Sequence, residues 1–175
     1  MHGELWDVTD AAGRPVGRTH RRGDPGFPAG LFHVVSATCV VRDDGQVLLT
    51  QRAAIKDWPL AWEFPAGSAL AGETSAQAAS RELFEEAGLR AAPDALVFVG
   101  RFMEENALLD LYVAHGVDVD TLELDPTEVG DSEWVSLAEV RDRYRAGGMA
   151  GPWVERLEAL WEQLAAAVRV SGPLE

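Results

Sequence analysis

A mixed α+β architecture, with a mixed β-sheet held between α-helices and a β-hairpin added at the N-terminus, is the fold class this sequence predicts. Three observations carry it. Strand-like and helix-like segments are interspersed without strict alternation. Two capping signatures, Thr74-Ser75-Ala76-Gln77 and Ser136-Leu137-Ala138-Glu139, mark helix starts. The 175 residues, 47% hydrophobic and 25% charged, have the size and composition of one packed domain. No internal repeat or low-complexity tail divides the chain, so one domain over residues 1–175 is expected, with residues 1–30 as the hairpin and loop extension.

Leu5 to Val8 and Val16 to Arg22 flank Ala11-Ala12-Gly13-Arg14-Pro15, a turn signal between two short strands. A loop rich in Gly and Pro follows to Gly30. Phe32 to Val41 is dense in β-branched residues, turns at Asp43-Asp44-Gly45, and predicts Val47 to Thr50 as its partner strand. Ala53 to Ala61 lacks periodicity and reads as a loop, with Pro59 bracketed by Trp58 and Trp62. From Thr74 the pattern is helical: Ala76, Ala79, Leu83 and Ala87 form one apolar stripe and Gly88 is a left-handed stop. Leu96 to Phe102 and Leu108 to Ala114 read as a strand pair, and Glu133 to Val135 as a further short strand. The second capping signature starts a helix ending near Gly147-Gly148. Pro152 opens the last helix, whose apolar positions are Val154, Leu157, Leu160, Trp161 and Leu164.

Fifteen Lys and Arg against 29 Asp and Glu leave a net charge of −14, a field that repels phosphate backbones and anionic headgroups. General nucleic-acid or membrane binding is therefore not expected. A phosphate-bearing ligand would need local cations or a divalent metal. Cys39, the single cysteine, excludes an intramolecular disulfide and a Cys-rich zinc site. The first residues have neither a basic nor an apolar leader pattern, and no run approaches the ~18 apolar residues of a membrane span. A soluble protein of the reducing cytoplasm is expected.

Glu82, Glu85 and Glu86 stand at i, i+3 and i+4, which confines three carboxylates to an arc of about 100° on one helix. Like charges at that spacing repel, and partial burial worsens the repulsion unless a cation sits among them. The plain alternative is a solvated acidic face. Hard oxygen ligands on one wall suit Mg²⁺ or Mn²⁺, with two carboxylates for the metal and one to spare as a base. The surrounding residues favour the metal: Gly67, five residues, Glu73, seven residues, then Arg81-Glu82-Leu83-Phe84-Glu85-Glu86-Ala87-Gly88-Leu89.

This stretch, residues 67–89, resembles the Nudix box at every defining position. The resemblance implies the Nudix fold and metal-dependent hydrolysis. It makes Glu85 and Glu86 metal ligands, adds the backbone carbonyl of Gly67, makes Glu82 the base or a further ligand, and gives Arg81 and Glu73 the task of orienting the cluster. A guanidinium beside three carboxylates offsets their repulsion and fixes rotamers.

A second resemblance covers Gly17 through Trp62, the Glu128-Val129 to Glu133-Trp134 segment and Pro152-Trp153. These are similar to type I isopentenyl-diphosphate isomerase, a branch of the Nudix superfamily, whose diphosphate-contacting basic residues are matched by Arg21, Arg52 and Lys56. Where that enzyme carries its catalytic Cys and a metal-binding His, this chain has Ala66 and Ser68, and of the metal-site histidines only His33 is matched. The isomerase's own box is degenerate, whereas this one is intact. The resemblance implies an isomerase scaffold running hydrolase chemistry.

Other candidates keep two readings. Glu128 stands five residues before Glu133-Trp134, where several Nudix hydrolases place an extra ligand or base; Asp125, Asp131 and Glu133 are its rivals, and simple solvation is the alternative. Trp58, Trp62, Phe102 and Trp153 either contact the substrate, stacking on a base or covering an isoprenoid-like tail, or belong to the core. His33 reads as a hydrogen-bonded structural histidine or a surviving ligand, Cys39 as a small buried hydrophobe, and Glu104-Glu105 as a solvated hairpin edge.

The expected activity is hydrolysis of a phosphoanhydride in a nucleoside diphosphate linked to another moiety, X–P–P–R, with Glu82 as first base and Glu128 as second. The alternatives are isopentenyl-diphosphate isomerisation and a non-catalytic nucleotide-binding regulator. Signatures of particular substrates are wanting: Leu48-Leu49-Thr50-Gln51-Arg52 only partly resembles the coenzyme A diphosphatase pattern, which wants Arg where Lys56 stands. Many relatives dimerise, so a homodimer is one further expectation.

Overall fold

In the computed structural model the described residues are 3–170. Strands β1 (Leu5–Thr9) and β2 (Pro15–Arg21) form the expected antiparallel hairpin, with Leu5 opposite Arg21. Its turn is closed by Asp10, whose carboxylate accepts the Ala12 and Arg14 amides at 2.9 and 3.0 Å. The hairpin is tied to the rest of the chain by an antiparallel bridge between Thr9 and Phe32 and by the Gly72 amide, which donates to Asp7 at 2.8 Å.

The central sheet has the order β6-β3-β8-β7, built from β3 (His33–Val40), β6 (Ala66–Ser68), β7 (Val97–Met103) and β8 (Ala107–Ala114). β7 and β8 pair antiparallel, as the sequence predicts. β3 and β8 run parallel from His33↔Ala107 to Val40↔Ala114, and every residue of β8 is buried, as expected for a strand covered on both faces. A second, antiparallel sheet has the order β5-β4-β9, from β4 (Val47–Arg52), β5 (Trp62–Glu63) and β9 (Val129–Val135).

Two expectations are corrected here. The Val47 to Thr50 strand is not the sheet partner of the preceding one: β3 and β4 belong to different sheets and meet only at the Val41↔Val47 bridge. The local turn forms as read, with Gly45 at φ 81° and the Arg42 amide donating to Gln46 O at 2.8 Å. Beyond it the two strands diverge, because β8 and β6 take the edges of β3 while β9 and β5 take those of β4. The strand expected at Glu133 to Val135 also begins earlier, at Val129, since its pairing with β4 extends to Arg52.

Helix α1 (Ser75–Ala87) has the full capping box: Thr74 Oγ1 accepts the Gln77 amide at 3.2 Å and Gln77 Oε1 accepts the Thr74 amide at 2.9 Å. Gly88 ends it at φ 69°. Its buried face is rotated from the predicted stripe, because Ala78 and Glu86 are buried with Ala79, Leu83 and Ala87 while Ala76 is only half-buried. Helices α2 (Leu137–Arg145) and α3 (Pro152–Arg169) follow, α2 with the second capping box and α3 with Pro at its first position. The sheet lies between helices as predicted. Leu83 and Ala87 of α1 pack with Val40, Leu48 and Ala114; Trp153, Leu157, Leu160 and Leu164 of α3 pack with Ala37, Cys39, Leu109 and Leu111. Among the described residues no helix is long and apolar enough to cross a membrane.

Candidate metal and diphosphate site

The carboxylate wall of α1 faces strand β6 across a cavity of about 310 Å³. Ala66, Gly67 and Ser68 line one side, and Glu82, Glu85 and Glu86 the other. Gly67 is where the two elements come closest: a Cβ built there would stand 2.1 Å from Glu82 Cδ, so no other residue leaves that carboxylate in place. The glycine is required by close approach of a side chain, and its backbone lies in the β3–β6 pairing opposite Ser36.

Arg81 organises the wall. Its Nε and Nη2 donate to the two oxygens of Glu73 at 2.8 and 2.9 Å, Nη1 donates to Glu82 at 2.7 Å and Glu85 at 3.0 Å, and Nη2 also reaches Ser68 O at 3.0 Å. Burial opposes ionisation of Glu73, but the Arg81 fork and the Leu70 amide prevail and hold its carboxyl below the usual range. Burial raises Glu82 in spite of Arg81. Glu86 is raised well above the ordinary range, first by burial and then by Glu63 and Glu82, with the Ala66 amide at 3.3 Å and Lys56 only partly offsetting them.

Among the described residues no group of three acidic or histidine side chains converges tightly enough to cage an ion as it stands. Glu82 and Glu85 are turned to Arg81 instead. The donor set nevertheless fits a hard divalent cation: carboxylate oxygens and a glycine carbonyl on one cavity, including a buried carboxylate destabilised by two others.

The cationic side comes from elsewhere in the chain. Arg52, at the end of β4, donates through Nη1 to Glu63 at 2.8 Å and through Nε to Asp57 O at 2.5 Å. Lys56 forms an ion pair with Glu128, and both line the cavity together with Asp125. Of the rivals to Glu128, Asp125 accepts the Thr127 amide at 2.9 Å within its own loop, Asp131 is exposed, and Glu133 is paired with Arg143; neither of the last two lines the cavity.

Five expected binding residues lie off this cavity. Arg21 donates to Gly3 O at 2.8 Å and does not line the cavity, whereas its neighbour Arg22 does, paired with Glu4 at 3.1 Å. Successive side chains along extended backbone leave on opposite sides, so a shift of one residue exchanges inside for outside. Trp62 packs on the α3-side core beneath the Arg143 guanidinium, 4.6 Å from its ring centre, and Phe102 packs on the same core from β7. Trp58 and Trp153 line a neighbouring cavity instead. Glu104 is no solvated edge: it holds Arg156 at 2.5 and 3.0 Å.

His33 stacks on Trp6 with ring centres 4.1 Å apart, lies 3.5 Å from Ser68 Oγ, and is pushed down to about 4 by burial. Cys39 is buried and burial pushes its thiol up, as a small core residue. The residues that sequence reasoning passed over are Arg22 and Glu63. An acid inside an apolar run, Trp62-Glu63-Phe64, is the signal that marks Glu63.

The family model described as the NUDIX domain matches residues 32–157. The chain belongs to the Nudix family. Its relatives include an uncharacterized Nudix hydrolase of Listeria monocytogenes, 33% identical over 153 residues that span 86% of this chain and 89% of that protein. An isopentenyl-diphosphate Delta-isomerase of Nocardia farcinica is 35% identical over 164 residues, 85% of this chain and 89% of that one. In fold it resembles DR0079 from Deinococcus radiodurans, with TM-score 0.73 and 22% identity over 90% of this chain and 99% of that one. This Nudix chain is thus an enzyme of the hydrolase family, whose members generally require divalent metal ions.

Proposed function

We propose that this Nudix enzyme hydrolyses a phosphoanhydride bond in a small-molecule diphosphate, X–P–P–R, in which one side is a nucleoside, with Mg²⁺ or Mn²⁺ as cofactor. The observation that carries the reading is one cavity holding both the carboxylate wall of α1 and the cations Arg22, Arg52 and Lys56. Glu85, Glu86 and the Gly67 carbonyl would hold the metal, with Glu82 as the base or, failing that, a further ligand. When bound, a divalent ion neutralises diphosphate charge and makes a water more acidic.

The chain's own residues supply the rest. Arg52, Lys56 and Arg22 hold the diphosphate oxygens, the local positive charge that a protein of net −14 must gather. Glu82 takes the proton of the attacking water as oxygen bonds to phosphorus and the bridging P–O bond breaks. Arg81 and Glu73 fix the rotamer of that carboxylate. Glu128, tied to Lys56, is the second choice of base.

The similarity to the Nocardia isomerase favours a second reading, alkene isomerisation of isopentenyl diphosphate. The chemistry opposes it: Ala66 and Ser68 stand where the resemblance calls for Cys and His, and the buried Cys39 does not line the cavity. Incubation with Mg²⁺ or Mn²⁺ and a panel of nucleotide sugars, dinucleotides, coenzyme A and isopentenyl diphosphate decides. Release of a nucleoside monophosphate or phosphate is expected. Alkene migration, or tight binding without turnover, which would fit a regulatory domain, overturns it.

A further inference from the structure

Beside the diphosphate cavity, and sharing Val35, Arg52 and Ala66 with it, lies a second cavity of about 260 Å³. Trp153 and Arg156 of α3 form one wall, Glu63 of β5 another, and Trp58 the rim. Its walls contain aromatic rings, yet its chemistry is polar. Trp153 is 1% exposed and its indole N–H has no hydrogen-bond partner. The Glu63 carboxylate lies alongside; burial raises its pKa, with Arg52, the Trp153 indole and Lys56 only partly offsetting it. Glu63 is itself buried, its Oε1 accepting from Arg52 Nη1.

The rim is unusual backbone. Trp58 has φ 54° and Leu60 φ 59°, on either side of Pro59, a conformation that L-residues with bulky side chains adopt only when their surroundings enforce it. The enforcement is visible: the Trp58 ring lies against Gly151, where a Cβ would come within 2.5 Å of it, and the Arg52 guanidinium holds Asp57 O from below. The outcome is a half-exposed indole face standing at the mouth of the cavity.

A buried donor beside a buried acceptor is poorly served by an apolar ligand. A hydrocarbon tail would leave the indole N–H without an acceptor and would desolvate the Arg52–Glu63 and Arg156–Glu104 pairs. A hydroxyl accepts from the indole and donates to the carboxylate at one atom, and the C–H face of a sugar ring suits the flat indole of Trp58. Resting on the proposed hydrolase reading, we infer that this cavity is the specificity subsite for the group attached to the diphosphate, and that it takes a hydroxylated, sugar-like moiety.

Two matched pairs test this: UDP-glucose against the hexyl ester of UDP, and ADP-ribose against the pentyl ester of ADP. Each pair keeps the anhydride and removes the hydroxyls of the attached group. In at least one pair the wild type should show kcat/KM tenfold or more in favour of the sugar, falling below threefold in Trp153→Phe, which removes only the N–H and some ring. Trp58→Ala, on the exposed rim and independent of core packing, should lower the same ratio at least threefold. Equal rates within both pairs, preference for the alkyl esters, or a ratio untouched by both variants overturns the subsite. Should the wild type cleave none of the four, the wider panel above decides the hydrolase reading, and titration calorimetry of the same four ligands reads the subsite alone: tighter sugar binding weakened by Trp153→Phe upholds it, equal binding overturns it.

Discussion

Single atoms decide much at this site. A methyl group at residue 67 would stand 2.1 Å from Glu82 Cδ, so Gly67→Ala must push the carboxylate aside or move β6. The expected result is about 1–3 kcal/mol of destabilisation, typical of overpacking, with at least a hundredfold loss of turnover, checked by thermal unfolding and steady-state assay. Glu86→Gln has the opposite profile. It removes a buried carboxylate raised by burial and by Glu63 and Glu82, so stability without metal is retained or improved while turnover falls by at least a few hundredfold. His33 gives a pH prediction. Its folded pKa of about 4 lies below the usual 6.5, so between those values the unfolded chain binds the proton and the folded chain does not. This contribution to stability is present above pH 6.5 and is lost as pH falls towards 4. At 1.36 kcal/mol per pH unit it amounts to at most about 3 kcal/mol, less for partial solvation. Denaturant midpoints of His33→Gln should therefore fall less between pH 7.5 and 5 than those of the wild type; parallel slopes would remove His33 as the cause. At this scale the acidic wall was legible because helical periodicity fixes which side chains share a face. The exchange of Arg22 for Arg21 was not, because in extended backbone an offset of one residue turns a side chain from one side to the other.

At the level of elements, signals carried by neighbouring residues were readable and those set by distant ones were not. The capping boxes at Thr74 and Ser136 and the stop at Gly88 involve residues within four positions, and all three form. The turn at Asp43-Asp44-Gly45 is equally local and also forms, but it says nothing about which strand lies beside β3. That is settled by β8, about 70 positions further along the chain, whose buried apolar face the parallel pairing completes. Trp62 and Phe102 were misplaced for the same reason: an aromatic at a strand end reads identically whether core or ligand covers it, and here α3 supplies the core. The cap of α1 matters beyond helix stability, because the helix carries Arg81 and all three carboxylates of the wall. Thr74→Ala deletes the bond to the Gln77 amide and should cost about 1 kcal/mol, or roughly 2–4 °C in melting temperature. Turnover should fall by less than threefold, since the wall lies two turns from the cap. A much larger loss of activity at unchanged melting temperature would mean that the start of α1 takes part in the site itself.

Over the whole molecule, the proposed activity requires a protein of net charge −14 to attract an anion, and in that reading Arg52 is where the solution is concentrated. It lines both cavities, holds the buried Glu63 of β5, and fastens the segment 53–61 through Asp57 O, so one guanidinium joins the second sheet, the cationic edge of the cavity beside α1 and the rim of its neighbour. Two substitutions separate these tasks. Arg52→Ala leaves Glu63 buried without its partner, and loss of one member of such a pair costs about 3–5 kcal/mol, so both melting temperature and KM should suffer. Arg52→Lys keeps a positive charge in the cavity but cannot bind Glu63 and Asp57 O together through a planar fork. If Arg52 positions the diphosphate and takes no part in bond breaking, Arg52→Lys should raise KM five- to tenfold with kcat within threefold of wild type, and should lose less stability than the alanine variant. Steady-state kinetics on the best substrate of the panel, with melting curves of the same preparations, checks both quantities. A KM left unchanged in both variants would return Arg52 to a purely structural role and leave Lys56 and Arg22 as the diphosphate contacts.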